Sequence, residues 1–526
     1  MNYFKISFSL LAGILMLGSC TKSLDKEPFT SFSDQSAFTS SDRVQLAVTG
    51  VYDAAQSGFY LGGAVRGYPF GAANIEQGDM RGEDMLNQAA FYAITYEATY
   101  NNASPNNGFM FQTIYAMVNK ANLTIAGIKS AESGGIITPA QSLAFEAEMR
   151  FLRAMGHHEL VINFARPYAE GNGAAKGIIY RDFAVNTDAA IEQARALTRE
   201  TVAQNYTKIL ADLDFAETNL PAVHATKTYR ASKAAAIALK MRVKLHKGDW
   251  PGVIAEGAKI VSTAAPFTSA IGPWKLTAAP DGPFVSNTSD ENIFSIKNDA
   301  TDHGSVNGAM AQMFGDPALG GRGLVRVSPI IWSDPAWLCA DLRRTTLYRT
   351  AGSPVNAVYT TKYRDYVNMS DAAPQIRYAE VLLTLAEAEA RQATGVSARA
   401  VDLLNAVRNR AVTAAASQFT VASFASKNAL IAAILKERRI ELLAEGKRWG
   451  DIHRLSQDPD FAPVAGGGIP AKVGSGGGAA GMFDCNGGVT ITTAVPAIAY
   501  TNFRFIWPIP IEETQQNTNY EQNPGY

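Results

Sequence analysis

Residues 145–164 read FEAEMRFLRAMGHHELVINF. Phe145, Met149, Leu152, Gly156, Leu160 and Phe164 recur at intervals of three or four, so they line one face of a long helix. The pattern spreads in both directions. Phe111 to Ile128 is amphipathic, and Thr201 to Leu220 repeats the spacing and stops at Pro221. Ser232 to His246 is rich in alanine, with Lys and Arg on its outer side. Gly248 breaks it, and Asp249 to Val261 forms a further helix. Later runs carry Tyr378, Leu382 and Leu385, then Val401, Leu404 and Val407, then Ile431, Ile434, Leu435 and Leu442. Small-residue faces such as Ala234-Ala235-Ala236 and Leu385-Ala386-Glu387-Ala388 let helices approach closely. Helix pairs of roughly 34 residues stacked this way are the pattern of tetratricopeptide repeats. The fold class read here is mostly α: a tetratricopeptide-like scaffold over about 109–263 and 375–456, beside a large irregular, loop-rich, ligand-binding region.

The periodicity fails over about 57–108, 264–374 and 457–526, where Gly, Pro, Asp, Asn and aromatics accumulate. Asn292-Ile293-Phe294-Ser295-Ile296 is a short β-like piece within the middle stretch. Loops longer than about 15 residues are usually functional or disordered, which places binding on the loops rather than on the helices.

The first residues carry a different signal. Lys5 precedes an apolar run from Ile6 to Leu17, and Leu17-Gly18-Ser19-Cys20 reads as a bacterial lipobox. The run is too short to span a bilayer comfortably, and no stop-transfer pattern follows it. A signal peptide over 1–19 is expected, with a diacylglycerol on the Cys20 thiol and a tether over 20–41 leading into one domain, 42–526. Two or more acyl chains on that residue hold a protein stably at a membrane. The formal net charge is −1 and no basic run occurs, which argues against nucleic acid and anionic lipid as partners. Sparse charge beside many Tyr, Phe, Asn and Gly suits neutral, hydroxyl-rich ligands. Outside the cytoplasm Cys339 and Cys485 could pair or could remain two buried thiols, and the sequence leaves both open.

Several motifs, in order, resemble those of the SusD/RagB family of surface nutrient-uptake lipoproteins. After Cys20 comes Leu24-Asp25-Lys26-Glu27-Pro28, then Glu146 to Ala154. Asp212-Leu213-Asp214 with Leu220-Pro221 follows, then Lys233-Ala234-Ala235. Arg377-Tyr378-Ala379-Glu380 with Glu387-Ala388 comes next, then Glu437-Arg438-Arg439-Ile440-Glu441-Leu442 with Gly446-Lys447-Arg448-Trp449-Gly450-Asp451. Trp507-Pro508-Ile509-Pro510 and Gln522-Asn523-Pro524-Gly525-Tyr526 close the series. The resemblance implies a non-catalytic protein on the outer face of the outer membrane. It also implies that the chain binds a glycan or oligosaccharide and hands it to a TonB-dependent barrel of the SusC type. The chain departs from the family pattern in a Gly-rich insert, Val464 to Gly488, and in lacking an acidic run after Cys20.

The candidate chemistry is spare. Arg150 and Arg153, which share a helix face with Glu146, and Arg438, one turn from Glu441, read as helix-tying residues. Gly476 to Gly481 fits the letters of a dinucleotide fingerprint, but no strand precedes it and no helix follows, so a flexible surface loop is expected there. His157 and His158 point about 100° apart on a helix, and no Cys/His zinc spacing occurs, so neither metal nor cofactor is expected; a Ca²⁺ site made of loop oxygens stays open. Glu76, Asp79, Glu83 and Asp84 lie in a loop-like stretch and read as solvated or structural acids. No catalytic residue is assigned. The ligand-contact candidates are Tyr92, Tyr96, Tyr100 and Asn101 before the first paired helix, with Trp274, Trp332 and Trp337 in the irregular region, because sugar rings stack C–H faces on aromatics. The rival readings are a surface glycoside hydrolase and a peptide-capturing transporter lid.

Overall fold

The computed structural model describes residues 36–57, 67–352 and 355–526. The signal peptide, Cys20 and most of the tether therefore lie outside the described residues. The chain enters the fold through α1 (Ser41–Gln56), whose stripe Val44, Val48, Val51 and Ala55 is buried. Two short helices follow, α2 (Ala72–Met80) and α3 (Ala90–Tyr96), separated by strand β1 (Met85–Asn87). The stretch 57–108 is thus partly helical rather than loop alone, and Glu76 and Asp79 sit on α2, not in a loop.

The scaffold begins with α4 (Pro105–Ser133) and α5 (Pro139–Phe164). A capping box starts α5: the Thr138 side chain accepts from the Gln141 N–H and the Gln141 side chain accepts from the Thr138 N–H, with Pro139 at the first helical position. Gly156 sets the closeness of the pair. A Cβ there would come within 3.0–3.2 Å of Met117, Ile114 and Val118 on α4. Helix α6 (Val202–Asn219) has the same capping box, Thr201 with Gln204, and packs along α5. Then come α7 (Lys233–Lys247), ended by Gly248 in the left-handed conformation, and α8 (Trp250–Ile260). Much later, α9 (Tyr378–Gln392), α10 (Ala398–Arg408) and α11 (Lys427–Glu441) continue the stack, α8 packing on α9 and α9 on both α10 and α11. Helix α12 (Arg448–Leu455) turns back onto α2. Consecutive helices lie against one another, the antiparallel-pair arrangement expected of a tetratricopeptide-like scaffold.

Between α8 and α9 the chain forms short antiparallel pairs. β2 (Asn292–Ile296) lies beside β6 (Ala373–Arg377), with register shifts on either side of Phe294; β1 pairs with β3 (Val325–Val327); and β4 (Tyr348–Ala351) pairs with β5 (Ala357–Thr360). The β-like piece at 292–296 is therefore a strand, buried throughout.

The family-like motifs fasten these parts together. The Arg153 guanidinium donates to both Asp212 oxygens at 2.8 and 2.6 Å, tying α5 to α6. Arg439 and Arg448 pair with Glu83 and Asp84, so those two acids hold the turn after α2 to α11 and α12. Trp507 donates its N–H to the Asn163 carbonyl, and Asn523 donates to the carbonyls of Phe164 and Trp507, so the closing residues cap the end of α5. Cys339 and Cys485 form a disulfide, which settles the alternatives left open by the sequence. The Gly-rich insert is stitched down rather than free. The Gly476 N–H donates to the Asn87 carbonyl, Arg326 donates to the Gly477 carbonyl, and the disulfide closes the segment at Cys485.

Candidate functional site

Three concavities stand out. A groove of about 570 Å³ lies between α1 and α4, with Leu46 and Leu123 on its walls, and a polar one of about 350 Å³ lies across α1, beside Gln45, Asp53, Tyr229 and Lys297. The third, about 270 Å³, lies in the irregular region and gathers residues from four separate segments: Tyr68 and Ala73, Phe91 and Tyr92, Asn106, and Asn307, Met313 and Arg322. It combines the exposed Phe91 ring, two amides and a guanidinium, a set a sugar can use for ring stacking and hydroxyl pairing. The cavity across α1 also offers Tyr52, Tyr229, two glutamines and Arg230, but there Arg230 is bound to Glu148 and Gln56 to Lys297 and Asn298.

Its walls follow from local structure. Gly67 has φ +75°, and a Cβ on it would lie 2.8 Å from the Ala73 nitrogen and 3.0 Å from the Gly308 Cα, so only glycine lets these two segments meet at the rim. Helix α3 turns Tyr92 and Tyr96 inward, one turn apart, which leaves Phe91 on the outer face, 42 % exposed. The Phe91 and Tyr92 rings sit 4.2 Å apart at 46°. Asn106, in the first turn of α4, donates to the Phe91 carbonyl at 2.7 Å and fixes α3 beside the cavity. A glycine-rich turn then brings the chain back on itself: the Arg322 N–H donates to the Gln312 carbonyl at 2.8 Å, placing Arg322 beside Met313. Its Nη1 donates to the Asn307 Oδ1 at 2.7 Å and to the Val306 carbonyl at 3.0 Å.

Beneath Tyr92 lies Glu76, fully buried. The Tyr92 hydroxyl acts on it electrostatically, yet neither Glu76 oxygen has a hydrogen-bond partner of good geometry. Burial pushes its carboxyl up to about 8, against the lowering pull of Tyr92 and Arg322 and with Asp79 adding to the rise. Asp79 is likewise pushed up to about 8, chiefly by burial, although it accepts the Gly446 N–H at 3.0 Å. At neutral pH the folded chain therefore holds a proton on Glu76, while the unfolded chain does not. With the folded value raised, the stability that Glu76 contributes is whole below pH 4.5 and is lost as pH rises through about 8. Glu76→Gln mimics the protonated form. Relative to the parent, it is expected to gain stability between pH 4.5 and pH 8, on the order of a few kcal/mol. Urea unfolding of both proteins at the two pH values checks this; identical pH slopes would mean that Glu76 is ionised in the fold.

Most of the aromatics singled out from the sequence lie elsewhere. Only Tyr92 lines the cavity, and it is 1 % exposed. Tyr96 donates to the Val473 carbonyl at 2.6 Å, and Tyr100 packs edge-on to Trp507 and donates to the Arg504 carbonyl. Trp274 is wholly buried. Trp332 and Trp337 meet edge to face at 5.2 Å, both under the Arg344 guanidinium and both against Tyr348. The structure thus corrects the expectation of open stacking faces at Tyr96, Tyr100, Trp274, Trp332 and Trp337: in an irregular region these rings are the largest apolar groups available, and burying them makes its core. Asn101 is exposed and accepts the Ala103 N–H in the turn leading to α4. His157 stacks on Tyr180 at 3.8 Å and accepts from the Arg181 N–H; burial, the largest influence on it, and then Arg153 keep it neutral. Among the described residues no group of three His, Cys, Asp or Glu side chains is placed to hold a metal ion.

Comparison with known proteins follows the same outline. A model described as the SusD family matches residues 340–526, and one described as starch-binding, associating with the outer membrane, matches residues 24–245. SusD-like protein P38 of Formosa agariphila is 22% identical over 563 aligned positions, covering 99% of this chain and 98% of that protein. Among solved structures, a SusD superfamily protein of Bacteroides fragilis superposes with a TM-score of 0.75 at 24% identity, over 92% of this chain and 100% of the other. Surface glycan-binding protein A of Bacteroides uniformis superposes with 0.69 at 18% identity, over 92% and 99%.

Proposed function

Because the chain belongs to the SusD/RagB family, we propose that it captures an extracellular oligosaccharide at the cavity between Phe91 and Arg322 and passes it, chemically unchanged, to a SusC-type TonB-dependent barrel. The observation that carries this reading is the exposed Phe91 ring set between Asn106, Asn307 and Arg322. The ring supplies a stacking face; the amides and the guanidinium supply donors and acceptors for hydroxyls. Capture without reaction fits the lining, which among the described residues contains no carboxylate, where glycoside hydrolysis needs two facing the scissile bond. Glu76, the nearest acid on α2, is covered by Tyr92. The proposed place of the body is the outer membrane, facing the exterior and held by lipid on Cys20; among the described residues no helix is long and apolar enough to cross a membrane. A main hydrophobic core runs from Val44 to Tyr520, with a smaller cluster around Trp449 and Phe505, and it supports reading 42–526 as a single domain.

Phe91→Ala tests the site. Loss of one exposed stacking face is expected to weaken glycan binding about tenfold, on the order of 1 kcal/mol or a little more, with the thermal transition unchanged because Phe91 is largely outside the core. Calorimetric titration of parent and variant reads both quantities. Undiminished affinity in a folded Phe91→Ala protein would place the ligand elsewhere.

A further inference from the structure

We propose that the glycan taken at this cavity is anionic, and that Arg322 receives its carboxylate or sulfate group. The inference rests on the cavity being the glycan site, and it names the class of glycan. Arg322 is fixed from one side only. Its Nη1 donates to the Val306 carbonyl and the Asn307 Oδ1, and touches the Met313 sulfur at 3.7 Å. Among the described residues Nε and Nη2 make no hydrogen bond. Those two N–H groups form the edge of a guanidinium that accepts two oxygens of one carboxylate or sulfate side by side. A guanidinium already held by Nη1 loses little freedom when an anion docks on that edge.

Among the described residues the charge of Arg322 is also unmatched by a carboxylate, as are those of Arg326 and Arg344, which donate to backbone carbonyls instead. In the same irregular region Arg349 pairs with Asp316 at 2.8 Å and Arg364 with Asp281 at 3.3 Å. Arg322 pairs with no carboxylate among the described residues. The acid whose field it feels, Glu76, is buried below Tyr92 and stays protonated until about pH 8, so it does not cancel the charge. The cavity is therefore a locally positive site in a chain whose formal net charge is −1. An average near zero pointed to neutral ligands. It says nothing about a single cation placed beside a stacking ring. Neutral sugars would use Phe91, Asn106 and Asn307 and gain little from a charge that water already solvates.

The test compares glycans that differ only in charge. The mature protein and its Arg322→Gln variant, each confirmed folded by circular dichroism, are applied to an array that carries neutral, uronic and sulfated oligosaccharides. The array includes oligogalacturonate beside its methyl ester, and sulfated beside desulfated galactan. Binding to an anionic member about tenfold or more tighter than to its neutral counterpart, with the preference abolished by Arg322→Gln and reduced by added salt, supports the proposal. Which pair shows the preference distinguishes a carboxylate from a sulfate. Equal binding of charged and neutral counterparts, or a preference that survives Arg322→Gln, overturns the anionic assignment and leaves the glycan site standing. Failure to bind any glycan on the array, charged or neutral, overturns the reading of the site and this inference with it.

Discussion

Glu441→Ala is expected to cost about 3–5 kcal/mol of stability, enough to unfold much of the protein at 37 °C. Glu441 closes α11 and sits inside a buried ionic network that joins the irregular region to the late helices. Arg343, Arg377, Arg408, Arg410 and Lys362 face Glu291, Asp341, Glu437, Glu441 and Glu445. Glu441 alone meets Arg343 at 3.0 Å, Arg377 at 3.1 Å and Arg410 at 2.6 Å. Charges of this kind cost several kcal/mol each to bury, and only the partners repay it. Removing this carboxylate leaves five buried cations to share four carboxylates, so one positive charge stays buried without compensation. Burial alone would raise the Glu441 carboxyl, but Arg410, Arg377 and Arg343 outweigh it and hold the group well below the usual carboxylate range. Glu445 is lowered in the same way, by Arg377 and Lys362 against burial. With folded values depressed, the stability these carboxylates contribute is whole above their unfolded value of 4.5 and is lost as pH falls through their folded values. Chemical unfolding of Glu441→Ala and of Glu441→Gln, at pH 7 and pH 4, measures both effects. A loss under 1 kcal/mol for the alanine variant would show that water enters the network and screens it.

Reducing the Cys339–Cys485 disulfide is expected to lower stability by about 2–5 kcal/mol, the range for closing a long loop. The bond spans a sequence separation of 146, so the unfolded chain regains a large loop when it opens. The folded chain also loses an anchor. Cys339 follows the Trp332–Trp337 pair, and Cys485 lies near the end of the Gly-rich insert, where Ser333 already holds the Met482 carbonyl and the Asp484 N–H. Without the bond, those few hydrogen bonds must hold the insert over the tryptophans. Urea midpoints with and without dithiothreitol, set beside a Cys339→Ser, Cys485→Ser double variant, give the cost. Tryptophan fluorescence reports whether Trp332 and Trp337 become wet. Equal midpoints in the oxidised and reduced proteins would contradict the assignment of a stabilising bond.

The helical scaffold was legible because its long helices repeat apolar residues at three- and four-residue spacing over several turns, even where, as in α5, nearly every side is buried. Phe145 to Phe164, Thr201 to Leu220 and Ser232 to His246 match α5, α6 and α7 closely for that reason. Helix α2 was not, because it is short and its buried positions include polar residues. Asn74, Glu76, Gln77 and Asp79 are as hidden as Ile75 and Met80, so hydrophobicity has no period there. Two of its polar side chains are buried against specific partners, Asn74 donating to the Pro69 carbonyl and Gln77 to the Tyr68 hydroxyl, while Glu76 is buried without one of good geometry among the described residues. The site was legible only in part. The aromatic stretch near residue 92 does reach the cavity, through Phe91 and Tyr92, but which ring is open depends on the phase of α3. Tyr92 and Tyr96, four apart, share the buried face, and that spacing was the available signal for Phe91 as the exposed one. Arg322 and Asn307 carried no signal at all, since a turn and a tertiary contact bring them to Phe91. The motif residues Arg153, Arg377, Arg439 and Glu441 announced the family, and they hold the fold together rather than the ligand.

The most direct test is a crystal structure of the mature protein with an oligosaccharide drawn from the glycan array. A sugar ring lying on Phe91, with hydroxyls on Asn106 and Asn307 and its glycosidic bonds intact, is the predicted result. A ligand seated instead in the groove beside Leu46 and Leu123, or in the polar cavity beside Asp53 and Tyr229, with the Phe91 face empty, would contradict the site on which the proposed capture depends.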